Sequence, residues 1–86
     1  MYAVELSQIS QKFLEKLDDH IRIRIENRLR NLGECYVPSD AKFICRDGGE
    51  KVFRYRIGDY RALYKVKHED NIVLVTKIDK RPRVYY

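Results

Sequence analysis

The chain has 86 residues, of which 44% are hydrophobic and 36% are charged. This length allows one small domain with a single core, and this hydrophobic fraction excludes a disordered chain. No apolar run approaches the roughly 18 residues that a membrane helix needs, and the first residues, MYAVELSQIS, do not resemble a signal peptide. We therefore expect a cytoplasmic protein that does not enter a membrane.

The N-terminal half predicts one strand followed by two helices. Tyr2–Leu6 is rich in aromatic and β-branched residues and favours a strand. Ser7 can cap a first helix, in which apolar residues recur at helical spacing as far as Leu17. Asp18 and Asp19 can begin a second amphipathic helix that stops at Gly33. These two patterns predict a helical hairpin with a short turn.

The C-terminal half predicts four strands joined by tight turns. The predicted strands are Lys42–Arg46, Val52–Ile57, Tyr60–Lys67 and Asn71–Lys77. Connections this short do not allow crossovers, so the strands should form an antiparallel meander. The expected fold class is α+β, with the N-terminal strand and the helical hairpin packed on one face of an antiparallel β-meander.

Positive charge is concentrated in this half of the chain, within the formal net charge of +5. Residues 1–50 contain 8 Lys/Arg and 9 Asp/Glu, whereas residues 51–86 contain 10 Lys/Arg and 4 Asp/Glu. Such asymmetry indicates a polyanionic partner, usually nucleic acid, or an acidic protein. The alternative is a basic surface that serves solubility alone.

Alternation along the strands separates an apolar face from a basic one, because residues i and i+2 point the same way. Phe53, Tyr55 and Ile57 share one face, and Arg54 and Arg56 share the other. In the next strand, Arg61 and Lys65 oppose a largely apolar set. In the last predicted strand, strict alternation separates Ile72, Leu74, Thr76 and Ile78 from Val73, Val75 and Lys77. The apolar faces should lie under the helices and leave the basic face open.

The segment KIDKRPRVYY extends the basic character to the tail. Pro82 cannot donate to a sheet ladder, so regular pairing should end near Asp79. The tail then displays Lys80, Arg81 and Arg83 before Tyr85 and Tyr86. Guanidinium groups bind phosphates and tyrosine rings stack on unpaired bases, so this composition suits RNA. A frayed basic terminus is the alternative.

Conventional catalytic sets are missing from the sequence. His20 and His68 should lie far apart, Cys35 and Cys45 form no zinc pattern, and no phosphate-binding glycine loop occurs. We expect no cluster of carboxylates on the basic face, and therefore no bound metal or small-molecule cofactor. One reaction remains accessible to arginine, lysine and tyrosine: attack of an RNA 2′-hydroxyl on the adjacent phosphate, promoted by positioning and charge stabilisation.

The stretch YRIGDYRALYKV, followed by a strand and the tail KRPRVYY, resembles the RelE/ParE superfamily of type II toxins, and most closely its RelE branch. The resemblance covers nearly the whole chain and implies a single RelE-like toxin domain over residues 1–86, with a microbial-RNase-like fold. It implies a metal-independent endoribonuclease that cleaves mRNA codons in the ribosomal A site. It also implies an acidic, RelB-like antitoxin as partner, besides the ribosome and mRNA.

The resemblance also implies the roles of individual residues. The catalytic set would be Arg54, Arg56, Arg61, Arg81 and Tyr85. Further RNA contacts would come from Lys65, Lys77, Lys80 and Arg83. In well-known RelE proteins the two strand positions are lysines, one a proposed general base. Arginine does not deprotonate readily, so another base, such as Tyr85 or Lys80, or catalysis without a dedicated base would be required.

Two alternatives remain open on the sequence alone. The ParE branch shares the fold and poisons DNA gyrase, although it generally lacks the clustered basic and tyrosine residues of the tail. The chain could also be an inactive, basic RNA-binding module.

Overall fold

The computed structural model describes residues 1–80, which form a helical hairpin on one side of a five-stranded mixed sheet. The helices are α1 (Gln8–Glu15) and α2 (Asp19–Arg30), and a 3-10 turn follows over Asn31–Gly33. The strands are β1 (Ala3–Leu6), β2 (Ala41–Asp47), β3 (Glu50–Ile57), β4 (Tyr60–Lys67) and β5 (Ile72–Lys80). The predicted α+β class is confirmed. Within residues 1–80, neither helix has the length and apolar character needed to cross a membrane.

The strand order in the sheet is β1-β5-β4-β3-β2. Strands β2 to β5 form the predicted antiparallel meander. Strand β1 pairs with β5 in parallel, with Ala3 opposite Ile72. A parallel pair needs a long connection between its strands, and here the helices and the first three meander strands provide it. The alternation of residues in the sequence did not identify the strand with which β1 pairs.

Gly33 lies where the helical hairpin returns to the start of β1. A Cβ atom at this position would lie 2.6 Å from the carbonyl oxygen of Tyr2, so a side chain would force the backbone to move. The amide of Tyr2 donates a hydrogen bond to the Gly33 carbonyl at 2.9 Å. Gly33 does not take the left-handed conformation typical of a helix-stopping glycine. Glycine is required at this position because two backbone segments approach each other closely.

The core lies between the helices and the inner face of the sheet. Leu14 and Leu29 are buried on the helix side, and the predicted inward faces of β3 and β4 are buried against them. The Phe53 and Tyr64 rings stack with centroids 5.4 Å apart. The hydroxyl of Tyr64 donates to the carbonyl of Tyr36 at 2.6 Å, which satisfies a polar atom inside the apolar layer.

A β-bulge interrupts β5 in the middle of the sheet. Val75 lies opposite Tyr64, but the next cross-strand pair joins Lys77 to Leu63. Thr76 is therefore an extra residue on β5, and the alternation of side chains is reset after it.

The bulge corrects the predicted faces of the last strand. Val73, Val75 and Ile78 are all buried on the helix side, although strict alternation separated Ile78 from the other two. Lys77 and Asp79 consequently lie on the opposite side, which we call the open face. The prediction that grouped Lys77 with Val75 was wrong, because a pattern of period two does not reveal an inserted residue.

Candidate active site

Side-chain hydrogen bonds anchor the β5 bulge to α1 and to β4. The fully buried hydroxyl of Ser10 donates to the Val75 carbonyl at 3.2 Å, and the Ser7 hydroxyl lies 2.9 Å from the Thr76 carbonyl. Ser7 also caps α1, because its hydroxyl accepts from the amide of Ser10. Thr76 Oγ1 donates to the Leu63 carbonyl at 3.2 Å. These contacts fix the point at which β5 changes its alternation.

A shallow depression of about 270 Å³ lies on the open face beside the bulge. Its lining residues come from β2, β3, β4 and β5: Ile44, Arg54, Arg61, Leu63, Lys77 and Asp79. Ile44 is itself an extra residue, since a second irregularity falls between Phe43 and Cys45 of β2. The depression therefore combines apolar surface with charged groups, which is the usual composition of a ligand site.

The arginines of β3 and β4 meet on this face as predicted. Arg56 lies directly opposite Arg61, and Arg54 lies two residue pairs further along, opposite Leu63. Within residues 1–80, the guanidinium groups of Arg54, Arg56 and Arg61 make no hydrogen bond or ion pair. Like charges directly opposite each other on a sheet lower stability by about 0.2–1 kcal/mol. The part of the fold that the structure describes therefore keeps three cations close together without an ion-pair partner.

Three lysines of the open face are arranged differently, because each lies near a carboxylate. The pairs are Lys65–Asp47 at 2.9 Å, Lys67–Glu50 at 3.3 Å and Lys77–Asp79 at 3.9 Å between nitrogen and oxygen. The hydrogen bond and charge of Lys65 hold the pKa of Asp47 below its ordinary value, and Asp47 raises the pKa of Lys65. The predicted RNA contact Lys65 is thus neutralised by a neighbour in this structure.

Arg28 shows that arginine on the helix side has a structural role. This α2 residue donates through Nε to the Tyr55 hydroxyl at 3.1 Å and through Nη2 to Asp40 at 3.1 Å. Its guanidinium lies 5.4 Å from the centroid of the Tyr55 ring. The hydrogen bond with Tyr55 raises the pKa of Arg28 above its ordinary value. Arg54, Arg56 and Arg61 on the open face, in contrast, have no such side-chain partner among residues 1–80.

The structure places only part of the predicted tail. Lys80 is the last residue of β5 and lies opposite Tyr60, whose ring contacts Phe13 of α1. This register directs Lys80 toward the helix side, so it does not join the arginines on the open face. The predicted site residues Arg81, Arg83 and Tyr85 lie outside the described residues.

Carboxylates are the part of the face that sequence reasoning missed. Asp47, Glu50 and Asp79 all lie on the open face, each beside a lysine, although these three carboxylates do not form one cluster. Asp79 is the one that lines the depression. Its cross-strand neighbour is Arg61. Only the register of β5 could have indicated this neighbour, and the bulge makes that register impossible to read from alternation.

Neither histidine lines the depression. His68 lies in the turn between β4 and β5, and its Nδ1 lies 2.7 Å from the Tyr2 hydroxyl. His20 lies in the first turn of α2. Among the described residues, no three His, Cys, Asp or Glu side chains come together in a way that could hold a metal ion.

Solved structures with the same arrangement include RelE toxins and their complexes with RelB. The chain is 27% identical to a protein in an archaeal RelE–RelB complex from Pyrococcus horikoshii, with a TM-score of 0.85 and coverage of 96% of this chain and 98% of that chain. It is 25% identical to a chain of the toxin–antitoxin complex RelBE2 from Mycobacterium tuberculosis, with a TM-score of 0.76 and coverage of 93% and 91%. The isolated E. coli RelE toxin, 21% identical, shows the same fold with a TM-score of 0.75 over 98% and 88% of the chains.

The fold and the basic open face therefore define a toxin domain of the RelE/ParE superfamily. No curated protein sequence matches the chain significantly. The family described as the ParE toxin of the type II toxin–antitoxin system parDE matches residues 4–85. The chain belongs to this family and is the toxin component of a type II toxin–antitoxin system.

Proposed function

We propose that this toxin is an endoribonuclease of the cytoplasm that cleaves mRNA in the A site of the ribosome. The observation that carries the proposal is a set of three open-face arginines that make no side-chain hydrogen bond or ion pair among residues 1–80. Arg54 and Arg61 line the depression, and Arg56 lies directly opposite Arg61. Unpaired guanidinium groups in fixed positions suit the phosphate groups of RNA, because each presents several donors in a planar fork. The 27% identity to a chain of an archaeal RelE–RelB complex supports the RelE-like choice.

The proposed reaction uses the substrate's own 2′-hydroxyl as nucleophile. That oxygen attacks the adjacent phosphorus, and negative charge develops on the phosphoryl oxygens in the transition state. Arg54 and Arg61 line the depression and would stabilise this charge, while Arg56 would hold a neighbouring phosphate. The ribosome would supply part of the alignment of nucleophile and leaving group. The resemblance adds Arg81 and Tyr85 to this set, which stays a prediction.

The test is cleavage of a defined mRNA on purified ribosomes, mapped by toeprinting. Arg61→Ala should lose about 100-fold or more in the rate of cleavage, the effect of removing one charge-stabilising donor. Arg24→Ala is the matched control, because Arg24 is an exposed arginine on α2 and the substitution changes the net charge equally. Free protein should cleave naked RNA poorly. Equal activity of both variants, or rapid cleavage of purified RNA, would contradict the proposal.

The toxin should be held inactive by an acidic, RelB-like antitoxin. Several of the similar solved structures are complexes of a RelE toxin with RelB. The residues of the open face carry excess positive charge once the lysine–carboxylate pairs are set aside, so an acidic segment could compete with RNA there. Its affinity should fall as added salt screens these charges. Salt-independent binding would contradict this part of the proposal.

A second candidate is a gyrase poison, because the matching family is named for ParE. A ParE-like toxin should inhibit supercoiling by purified gyrase and should leave ribosome-bound mRNA intact. The supercoiling assay therefore complements the toeprint assay. Inhibition of gyrase without mRNA cleavage would replace the proposed function, whereas binding of RNA with neither activity would indicate an inactive module.

A further inference from the structure

One carboxylate lies among the positive charges of the depression. Of the described residues that line it, Asp79 alone is acidic. Asp79 follows Ile78, which is 2% exposed, and this buried neighbour fixes which side of β5 Asp79 occupies. Its cross-strand partner is Arg61 of β4, and directly opposed residues have Cβ atoms about 4.5–5.5 Å apart. The Asp79 side chain is 54% exposed, so solvent and a ligand can reach it.

Within residues 1–80, one oxygen of Asp79 has no donor within hydrogen-bond distance. Oδ1 accepts a hydrogen bond from the backbone amide of Lys80 at 2.9 Å, which orients the carboxylate. Oδ2 lies 3.9 Å from Nζ of Lys77, beyond hydrogen-bond distance. The charged groups that face it are Arg61 on β4, Arg54 on β3 and Lys77 on its own strand. The Lys80 amide thus orients the Asp79 carboxylate through Oδ1, and Oδ2 is available as an acceptor.

The proposed cleavage needs a group that removes a proton from the 2′-hydroxyl. Arginine does not serve, because it keeps its proton throughout the accessible pH range. Neither histidine lines the depression, the register turns Lys80 toward the helix side, and Tyr85 lies outside the described residues. Carboxylates in general carry their charge at neutral pH and accept protons. We propose that Asp79 is the general base of the reaction, an inference that rests on the proposed ribonuclease function.

The step balances with solvent as the only other participant. The 2′-hydroxyl proton passes to Asp79 while the bond between the 2′-oxygen and phosphorus forms. The bond between phosphorus and the 5′-oxygen breaks, and the leaving 5′-oxygen takes a proton from water. The products are a 2′,3′-cyclic phosphate and a 5′-hydroxyl end, and Asp79 then returns its proton to solvent. No oxidant, reductant or further reactant is needed.

If Asp79 served only to pair with positive charges, we would expect the opposite effect of its removal. A carboxylate on an RNA-binding face repels phosphate, so its removal should tighten binding and release Lys77. A general base, in contrast, contributes typically about 100- to 10,000-fold to the rate of the chemical step. The two roles are separated by measuring the maximal rate of bound complex and the half-saturating toxin concentration independently.

The experiment is single-turnover cleavage of mRNA on programmed ribosomes across a range of toxin concentrations. Asp79→Asn keeps the shape of the side chain and should lower the maximal rate about 100-fold or more, with a half-saturating concentration equal to or below that of the wild type. Asp79→Glu should recover part of the rate. A substrate whose leaving 5′-oxygen is replaced by sulfur needs no proton on its leaving group. Asp79→Asn should stay slow on this substrate if Asp79 is the base.

Asp47→Asn is the matched control, because it removes a paired carboxylate from the open face outside the depression. It should leave the maximal rate unchanged, and thermal unfolding of each variant checks the fold. An unchanged maximal rate for Asp79→Asn, or full recovery on the sulfur substrate, would overturn the assignment of the base while the ribonuclease function stands. Absence of cleavage by the wild-type protein would overturn both.

Discussion

Deletion of Thr76 tests the β5 bulge, on which the composition of the site depends. In the bulged register, removal of this extra residue leaves Val75 and Lys77 as neighbours in a regular ladder. Ile78 stays buried and Lys77 stays on the open face. In an unbulged strand, the same deletion would exchange their faces.

The magnitude of the effect follows from the contacts of Thr76. Deletion removes the hydrogen bond from its Oγ1 to the Leu63 carbonyl, worth about 0.5–1.5 kcal/mol. The hydrogen bond from the Ser7 hydroxyl to the Thr76 carbonyl must also rearrange, which increases the loss of stability. We therefore expect the free energy of unfolding to fall by about 1–3 kcal/mol. Exchange of the faces would instead expose Ile78, at about 1.5–3 kcal/mol, and would bury an unpaired lysine at a further cost of several kcal/mol.

The assay is urea unfolding followed by circular dichroism, with deletion of Leu74 as the matched control. Leu74 lies in the regular part of β5, opposite Lys65. After its removal, Val73 and Val75 become adjacent and can no longer both face the core. We expect this control to lose at least about 4 kcal/mol or to fail to fold. Equal losses for the two deletions would show that β5 has no deletable position and would refute the bulged register.

The remaining predictions concern single substitutions. Gly33→Ala should lower the midpoint of thermal unfolding by at least about 4–8 °C, because its Cβ would meet the carbonyl of Tyr2; a change below 2 °C would contradict the close approach. Arg56→Gln should raise the free energy of unfolding by about 0.2–1 kcal/mol, more at low salt, since it removes repulsion from Arg61, and it should slow mRNA cleavage. Burial raises the pKa of Tyr64, so the folded state holds this proton more tightly than the unfolded state. Stability should therefore fall as the pH rises above about 10, and Tyr64→Phe should remove that alkaline loss in pH-dependent urea unfolding.

The central hairpin could be predicted from sequence because its pattern has one interpretation. Residues of β3 and β4 alternate between apolar and basic, and Gly58 with Asp59 interrupts the pattern at one point. The strand Tyr60–Lys67 consequently has the predicted bounds. The convergence of Arg54, Arg56 and Arg61 follows from this alternation and from the pairing of adjacent strands.

The far side of β5 could not be predicted in the same way. Val73, Leu74 and Val75 are all apolar, so alternation does not distinguish the buried face from the open face in this stretch. The bulge after Val75 depends on hydrogen bonds from Ser7 and Ser10, which are more than 60 positions away in the chain. Non-local contacts of this kind leave no periodic signal, and the position of Asp79 was missed for that reason.

Which charges are paired also depends on the register between strands. Asp47 and Glu50 flank the turn between β2 and β3, and only the observed pairing brings them to Lys65 and Lys67. Sequence analysis counted Lys65 and the arginines as one basic set. The structure divides them into paired lysines at one end of the open face and unpaired arginines at the other.

Because of this division, the two ends of the open face differ in their attraction for a polyanion. Ion pairs bring the lysine end close to neutrality, so attraction for phosphate is concentrated at the arginine end, where the depression lies. Partly exposed pairs such as Lys65–Asp47 add little to stability, whereas the opposed Arg56 and Arg61 lower it. Burial of the Phe53 and Tyr64 rings beneath β3 and β4 offsets this small repulsion. A bound polyanion would relieve it, and for that reason RNA and an acidic antitoxin segment should compete for the same end of the sheet.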